Sequence, residues 1–523
     1  MSKIKIAFFC KQCGHETSRW EGKCPACHEW DTLVEAPSEK EKSTSKRGKS
    51  AGGFTRVSLA PRSDLKPLKE HARERLPRIP VPISEFHRVL GGGIVPGGSV
   101  LVGGEPGIGK STLMLQLLGT LAHADTPTPA GLNGPASGST TPCWLYITGE
   151  EAPSQIAARG IRLADMASSS MDRGRPAPAP EAVGENVPSR KSPSPLPAKR
   201  GGVAFDSDRL KLASETDLAS ILGMLEAERP QVAVIDSIQT MRDGALESAA
   251  GSISQVRECA MALVDAGRQL NTTIFLIGHV TKEGAIAGPR VLEHIVDTVL
   301  NFEGETRLDL RVLRASKNRF GSTDEVGFFE MTQAGLTEVP DPSAALLDRD
   351  SAADKGAGSA VGALCEGTRV LLVELQGLTV PVPGGGSPRR RASGLDANRL
   401  AQLLAVLETK AGVPYGTLDV FASAAGGFRV DEPAADLPLA LALASVATGR
   451  MVREGLVASG EVGLGGEIRP VPRVEARIAE ARRLGFKQIL LPARGRTALP
   501  AQSEGIKILR AKTLREALAL GLS

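Results

Sequence analysis

Four apolar runs in the middle of the chain each lead to polar residues at or beyond their carboxyl end, and a helical pattern follows the first of them. The runs lie within residues 100–102, 143–151, 231–236 and 272–280. After the first run, Leu113, Leu117 and Leu118 recur at the spacing of an α-helix. Buried strands that alternate with helices predict a parallel α/β sheet whose functional site lies along the carboxyl edge of the strands.

Several stretches lack any such pattern. Residues 33–75 are rich in Ser, Lys and Gly, and they are predicted to form a flexible basic linker. Residues 124–142 and 167–202 are rich in Pro, Ser and Ala with few large apolar side chains, so they cannot offset the entropy of ordering and are expected to be disordered insertions. Residues 339–360 are predicted to be a second linker.

These boundaries divide the 523 residues into three folded parts, which suits a chain of this length. The parts are an N-terminal module at 1–32, an α/β domain at 76–338 and a C-terminal domain at 361–523. In the last of these, residues 368–380 alternate between apolar and polar like a strand. No run of about 18 apolar residues occurs, so the chain is expected to have no membrane span and to be cytoplasmic.

The net charge of +4 is too small to indicate a nucleic-acid partner by itself. Its distribution says more, because residues 38–80 carry twelve Lys and Arg against five Asp and Glu. Such a segment is either a solvated linker or one that follows a phosphate backbone electrostatically.

Four of the seven cysteines form two Cys-x-x-Cys pairs near the start of the chain. Cys10 and Cys13, with Cys24 and Cys27, have the spacing of a tetrahedral structural zinc site. The alternatives are a redox pair or disulfides, which the absence of a secretory signal disfavours. Trp20 and Trp30 are expected to pack inside this module, although a platform for a nucleic-acid base is the other possibility.

A glycine-rich loop after the first apolar run is the strongest local signal. Its Gly-x-x-x-x-Gly-Lys-Ser pattern between a strand and a helix predicts a P-loop that binds ATP. Lys110 is expected to reach the β- and γ-phosphates, and Ser111 to ligate Mg²⁺. The predicted nucleotide-binding residues are Gly104, Glu105, Pro106, Gly107, Ile108, Gly109, Lys110, Ser111 and Thr112.

The polar residues at the ends of the other runs complete a hydrolytic site. Asp236 is predicted to hold Mg²⁺ as a Walker B acid. Glu150, on a strand expected to lie next to the P-loop strand, is predicted to activate the attacking water. The alternative for Glu150 and Glu151 is that they are helix N-terminal acids favoured by the helix dipole. His279 is either a γ-phosphate sensor or an ordinary hydrogen-bonding residue.

Cationic residues beyond the last run are candidates for DNA contacts. Lys282 and Arg290 lie in a predicted loop, where they would contact a phosphodiester backbone. Lys317 and Arg319 flank Asn318 at the end of a predicted strand. Two cations so close would repel unless they share an anion, and a DNA phosphate or a neighbouring subunit's γ-phosphate would serve.

Together the two Cys-x-x-Cys pairs, GEPGIGKST, TGEE, GSISQVREC, GHVTKEG and KNRFG (317–321) closely resemble the bacterial RadA/Sms family of DNA repair proteins. The resemblance implies a RecA-like ATPase that forms a homo-hexameric ring on single-stranded DNA and drives branch migration beside the RecA recombinase. It implies that Lys110, Asp236 and Glu150 are catalytic, and that Lys317 and Arg319 couple ATP to DNA. GSISQVREC and the loop from Val280 to Val291 would face the channel of the ring.

The C-terminal domain resembles the proteolytic domain of Lon, an α+β fold. A Lon-type protease needs a Ser nucleophile and a Lys base. Here the corresponding positions are Ala434 and Glu475, so the domain is expected to be proteolytically inactive. Arg389, Arg390, Arg391 and Arg399 form a cationic cluster that is either solvated or attracts backbone phosphates.

Three other functions stay open from the sequence. They are an ATP-dependent protease, a binding protein that uses ATP as a conformational switch, and a strand-exchange recombinase. The zinc module is expected to be a contact device toward RecA or DNA.

Overall fold

The computed structural model describes residues 8–10, 16–17, 20–23, 25, 30, 33–35, 77–123, 142–172, 205, 207–278, 289–304, 310–347, 356–382, 386–425, 428–494, 502–503 and 505–523. The chain divides into two compact units, Met1–Leu76 and Pro77–Ser523. No helix within the described ranges is long and apolar enough to cross a membrane.

The first unit contains a small antiparallel sheet with the order β2-β1-β3. Its strands are β1 (Phe8–Cys10), β2 (Glu16–Thr17) and β3 (Leu33–Glu35). The predicted linker start at residue 33 is therefore wrong, because Leu33–Glu35 pairs with Phe8–Cys10 and extends the module to residue 35. Cys13, Cys24, Cys27 and the side chain of Cys10 lie outside what the structure describes.

The two tryptophans of this unit are exposed. Trp20 has 59% and Trp30 has 70% of its surface accessible, so the prediction that they pack inside the module is wrong. Lys23 pairs with Trp30 in an isolated β-bridge, and its amine lies 5.8 Å from the centre of the indole ring.

The part of the second unit that the sequence predicts to be the ATPase domain is built on a nine-stranded sheet, counted over the described residues, with the order β12-β11-β10-β9-β4-β8-β7-β5-β6. Strands β9, β4, β8, β7, β5 and β6 run parallel to one another, whereas β10 pairs antiparallel with both β9 and β11, and β11 pairs antiparallel with β12. The strands are β4 (Ser99–Gly104), β5 (Trp144–Thr148), β6 (Leu210–Ser214), β7 (Val232–Asp236), β8 (Thr273–Ile277), β9 (Thr298–Gly304), β10 (Leu310–Asn318), β11 (Val326–Thr332) and β12 (Gly335–Glu338).

Helices connect and cover this sheet. Two of them start at side-chain caps, where Asp217 accepts from Ser220 N and Ser252 accepts from Gln255 N. Apolar clusters fill both faces of the sheet, as expected for strands buried on two sides. The helices are α1 (Ser84–Val89), α2 (Lys110–His123), α3 (Pro153–Asp172), α4 (Leu218–Glu228), α5 (Ile253–Leu270) and α6 (Pro289–Glu293).

The parallel sheet is confirmed, but three sequence predictions about its surroundings are wrong. The strand that ends before Glu150 is separated from the P-loop strand by β8 and β7. The segment predicted to be disordered from residue 167 continues helix α3 to Asp172. The predicted linker 339–360 contains helix α7 (Pro342–Leu346), because Asp341 caps it and Leu346 packs into the core.

The C-terminal domain has an eight-stranded sheet in its described residues, with the order β15-β16-β14-β13-β17-β20-β22-β21. Helix α9 is apolar all round and packs against β13 and β14. The strands are β13 (Ser359–Glu366), β14 (Arg369–Pro381), β15 (Arg390–Ser393), β16 (Leu418–Ala424), β17 (Leu456–Ala458), β20 (Gln488–Pro492), β21 (Gln502–Ser503) and β22 (Ile506–Ala511), with β18 (Glu461–Val462) and β19 (Ile468–Arg469) as a separate pair. The helices are α8 (Ala397–Val406), α9 (Asp436–Thr448), α10 (Val474–Arg483) and α11 (Leu514–Gly521).

The ATPase sheet and the C-terminal domain share one apolar cluster. Val312 and Phe328 of the ATPase sheet belong to the same buried group as Leu371 and Val373 of β14. Because burial of apolar surface is the main favourable term in folding, this shared cluster joins the two domains into one body.

Candidate functional site

The P-loop adopts a conformation that its glycines make possible. Gly104 ends β4 with a φ of 154°, and a Cβ there would lie 2.4 Å from the carbonyl oxygen of Phe302. Gly107 has a φ of 77°, in the region that favours glycine. The loop then enters helix α2 at Lys110, so the N-terminus of that helix points into the loop.

Lys110 is buried beneath this loop. Its Nζ donates hydrogen bonds of 2.8 Å to the carbonyl oxygens of Gly104 and of Glu105. Burial lowers the pKa of Lys110 to about 8, while the carboxylates of Asp236, Glu150 and Glu105 act in the opposite direction. A cationic amine held under backbone N–H groups, in a loop that glycines keep open, fits a polyphosphate.

Asp236 ends β7 at the same edge of the sheet. One of its carboxylate oxygens accepts a 2.5 Å hydrogen bond from the hydroxyl of Tyr146. Burial raises the pKa of Tyr146 and the charge of Asp236 raises it further, whereas a hydrogen bond with Ser111 lowers it. Tyr146 therefore links the predicted magnesium ligands Asp236 and Ser111.

The structure distinguishes the two adjacent glutamates after β5. Glu150 accepts a hydrogen bond from the hydroxyl of Ser237, the residue directly after Asp236. Glu151 instead accepts hydrogen bonds of 2.7 and 2.6 Å from the guanidinium of Arg159 in helix α3. Glu150 is therefore the glutamate directed at the Walker B strand, even though its own strand is not next to β4.

Lys317 and Arg319 lie at the other edge of the sheet. Asn318 pairs with Thr298, which is level with Val100 at the start of β4, whereas Gly104 ends that strand. Four residues along a strand correspond to roughly 13 Å. The two cations therefore do not belong to the phosphate site of their own chain.

Both cations have partners within the chain. Lys317 Nζ donates hydrogen bonds of 2.7 and 2.8 Å to the carbonyl oxygens of Glu293 and Val296. Arg319 forms an ion pair of 3.1 Å with Asp297. Partial burial and the charge of Arg319 lower the pKa of Lys317. The expectation that the two cations require a shared external anion is therefore wrong, because Asp297 and two carbonyl groups already satisfy them.

The structure describes only some of the other residues that were predicted to face the channel or to contact DNA or phosphate. In GSISQVREC, Gln255, Val256 and Cys259 are buried, and Arg257 and Glu258 are exposed, so only part of the segment can face a channel. His279 and Lys282 lie outside the described residues. The structure describes only the backbone of Arg290, in helix α6.

Family models match three parts of the chain. Residues 8–35 match a rubredoxin metal binding domain, residues 66–285 an AAA domain, and residues 419–522 the C-terminal proteolytic domain of Lon protease (S16). Similar proteins named DNA repair protein RadA occur in Synechocystis sp. (41% identical, 100% of this chain and 95% of the relative), Pseudomonas aeruginosa (42%, 99% and 99%) and Bacillus subtilis (40%, 100% and 100%).

The chain belongs to the RadA family of DNA repair proteins. The family resemblance seen in the sequence is thus confirmed, and so is the fold class, which combines a zinc ribbon, an α/β ATPase core that matches an AAA domain, and a Lon-like domain. The ATPase domain indicates that this RadA family member hydrolyses ATP.

Two similar solved structures each cover about half of this chain. They are the KaiC-like protein PH0186 from Pyrococcus horikoshii OT3 (17% identical, 51% of this chain, 100% of that chain, TM-score 0.34) and the RadB recombinase (20%, 49%, 97%, 0.32).

In the Lon-like domain, Ala434 is buried and Glu475 is exposed at the start of helix α10. Arg477, in the same helix, is fully buried and forms an ion pair with Glu432. The predicted arginine cluster is not uniform. Arg390 donates to the carbonyl oxygens of Tyr415 and Leu418, and Arg399 pairs with Asp436, which leaves Arg389 and Arg391 as its exposed members.

Three residues at the site were not predicted from the sequence. Tyr146 and Ser237 contact the two acidic residues, and Asp297 holds Arg319. Tyr146 lies inside an apolar run and Ser237 follows Asp236 directly, so their proximity to the site could have suggested both. No sequence signal marked Asp297, because its partners are distant in the chain.

Proposed function

We propose that the chain is a DNA-dependent ATPase motor that binds single-stranded DNA and promotes branch migration of RecA-made recombination intermediates in the cytoplasm. The observation that supports this most directly is the Lys110 amine, buried under the P-loop and influenced by the charges of Asp236 and Glu150. Such an arrangement suits phosphoryl transfer from a nucleoside triphosphate, in which positioning and charge neutralisation supply most of the catalysis.

Different residues at the carboxyl edge of the parallel strands bind the phosphates, hold Mg²⁺ and activate water. Backbone N–H groups of the loop from Gly104 to Thr112 bind the phosphates, and Lys110 exchanges its two carbonyl partners for phosphate oxygens. Ser111 and Asp236 hold Mg²⁺, which neutralises phosphate charge when bound. Glu150 orients and deprotonates the attacking water, and Ser237 holds that carboxylate in place.

Lys317 and Arg319, at the opposite edge of the sheet, couple ATP hydrolysis to DNA binding. Because Lys317 and Arg319 lie far from the P-loop of their own chain, a homo-hexameric ring would let them act at the site of a neighbouring subunit. Lys282 and Arg290, together with this pair, would contact the DNA backbone, where binding is governed by phosphate charge.

The N-terminal module is a contact device toward RecA or DNA. Cys10, Cys13, Cys24 and Cys27 would hold zinc, and the match to a metal binding domain over residues 8–35 supports this assignment. The exposure of Trp20 and Trp30 supports a role in contacts, because aromatic side chains on a surface bind bases or protein partners.

The decisive test is ATP hydrolysis by the purified protein with and without single-stranded DNA. DNA is expected to stimulate hydrolysis, Lys110→Ala to abolish it, and Lys317→Ala to retain nucleotide binding while losing the stimulation. Hydrolysis that DNA leaves unchanged would favour a binding protein with an ATP switch. Joint molecules formed without RecA would favour a strand-exchange recombinase.

A further inference from the structure

The turn between β13 and β14 of the Lon-like domain contacts the ATPase domain at every residue from Glu366 to Arg369. Glu366 forms an ion pair with Arg314 of β10. Arg369 forms a 2.7 Å ion pair with Glu85 of helix α1, and its guanidinium lies 5.1 Å from the ring centre of Phe328. These outer contacts fix the two residues between them, Gly367 and Thr368.

Gly367 and Thr368 pack directly on the segment that follows KNRFG. Thr368 N donates a 2.8 Å hydrogen bond to the carbonyl oxygen of Asp324, and Thr368 Oγ1 donates one of 2.8 Å to the carboxylate of Glu325. Gly367 has a φ of 59°, and a Cβ there would lie 1.8 Å from the carbonyl oxygen of Asp324. The two backbones therefore meet where no side chain fits.

Asp324 and Glu325 end the turn that joins β10 to β11, which we call the KNRFG turn (residues 317–325). The other side of this turn is also held. Arg78 donates hydrogen bonds of 2.8 Å to Gly91 O and 2.5 Å to Phe320 O. A Cβ on Gly91 would lie 3.1 Å from the Cα of Gly321. The turn is thus clamped between the segment around Arg78 and the Lon-like hairpin.

Residues next to Ala434 and Glu475 also contact the hairpin, on the side of the Lon-like domain. Arg473, which precedes helix α10 and Glu475, donates a 2.8 Å hydrogen bond to the carbonyl oxygen of Gly367. Glu432, two residues before Ala434, accepts a hydrogen bond of 2.5 Å from Cys365 N and pairs with the buried Arg477. Ala434 and Glu475, the positions where a Lon-type protease has its Ser and its Lys, thus lie close in sequence to residues that hold the hairpin in place.

We propose that Gly367 and Thr368 are positioning residues for the KNRFG turn, so that the Lon-like domain sets how strongly DNA is coupled to ATP hydrolysis. This inference rests on the proposed role of Lys317 and Arg319. The hairpin acts on those cations through the backbone of Asp324, and it touches neither nucleotide nor DNA. A degenerate protease domain would thereby serve as a scaffold for the motor.

The test compares two glycine substitutions in the full-length protein. Gly367→Ala introduces both backbone strain and the collision with Asp324. Gly449→Ala is the matched control, because Gly449 has a φ of 67° and open space around its Cβ. The measurements are hydrogen exchange in peptides that cover 317–325, and ATP hydrolysis with and without single-stranded DNA.

Gly367→Ala is expected to speed exchange in the KNRFG turn and to lower the DNA-stimulated rate by about threefold to thirtyfold, as for other substitutions that alter coupling between sites. Hydrolysis without DNA should stay within about twofold of wild type, because the P-loop lies at the other edge of the sheet. Gly449→Ala should leave both measurements as in wild type.

Thr368→Val, which removes only the hydroxyl, should act in the same direction with a smaller effect, and it decides the question if Gly367→Ala fails to fold. The proposal is overturned if exchange in 317–325 and DNA stimulation in these variants match Gly449→Ala. If wild-type hydrolysis does not respond to DNA, the proposed function fails instead. Faster exchange confined to the turn would then still support the positioning role of the hairpin.

Discussion

At the scale of single residues, the buried amine of Lys110 predicts how nucleotide binding depends on pH. Burial keeps the pKa of Lys110 near 8, below the ordinary value of a lysine, so this amine is protonated at neutral pH and loses its charge as the pH rises above 8. Phosphate oxygens favour the protonated amine, so nucleotide binding raises this pKa. Binding at alkaline pH must therefore be accompanied by proton uptake.

We predict that ATP binds about tenfold more weakly at pH 9 than at pH 7, because the charged fraction of Lys110 in the free protein falls by that factor. Calorimetric titration in two buffers with different ionisation enthalpies should show proton uptake at pH 8.5 and little at pH 6.5. Equal uptake at the two pH values would contradict the lowered pKa of Lys110.

The two adjacent glutamates are predicted to behave differently. Glu150→Gln should slow ATP hydrolysis by about 10²- to 10⁴-fold with nucleotide binding retained, because the amide cannot accept a proton from water. Glu151→Gln is the control, since its carboxylate pairs with Arg159, and it should change the rate little. Single-turnover hydrolysis measures both, and a larger loss in Glu151→Gln would reverse the assignment.

At the scale of elements, Asp297 joins three segments that are distant in sequence. Its carboxylate accepts hydrogen bonds from Ser99 N (3.1 Å) and Ser99 Oγ (2.7 Å) at the start of β4. The same group pairs with Arg268 of helix α5 and with Arg319. The residue thus ties the first residue of the P-loop strand to the KNRFG turn.

Asp297→Ala is expected to lower the free energy of unfolding by about 1–3 kcal/mol, because it leaves the buried Ser99 donors without an acceptor. Arg268→Ala removes one half-exposed partner of the same carboxylate and should cost less than about 1 kcal/mol. Urea unfolding followed by circular dichroism distinguishes the two variants. Equal losses would mean that the ion pair, and not Ser99, accounts for the effect of Asp297.

At the scale of the whole molecule, the candidate zinc ligands and the ATP site belong to different compact units. A zinc ribbon of this size depends on its metal for folding free energy. Its two exposed tryptophans, Trp20 and Trp30, can report on it by fluorescence, because the third, Trp144, is buried in β5 of the ATPase sheet.

Removing zinc with a strong chelator, or substituting Cys24→Ala, is therefore predicted to change the fluorescence of Trp20 and Trp30 and to leave ATP hydrolysis without DNA unchanged. Metal analysis should show one zinc per chain in the wild-type protein and its loss in the variant. Cys259→Ala, at a buried cysteine outside the module, is the control and should retain the metal. If chelation abolished ATP hydrolysis without DNA, the ATP site would depend on the zinc module and the prediction would be wrong.

The sequence by itself determined the strongest features of this protein. The P-loop, the acid that ends β7 and the alternating apolar runs are local patterns, so the parallel sheet and the candidate phosphate site could be predicted from the order of residues. The four cysteines and KNRFG were equally local, and the family was recognisable from them. Local composition failed at Leu33–Glu35 and Pro342–Leu346, because their order comes from pairing and packing with distant segments.

Only the tertiary structure decided which strands are neighbours and which charges are paired. Hydrogen bonds between strands placed β8 and β7 between the P-loop strand and the strand before Glu150. Contacts across more than 20 residues gave Lys317 and Arg319 their partners, and contacts between domains placed Gly367 on Asp324. Such arrangements depend on how the elements pack in space, and a periodic pattern along the chain carries no information about them.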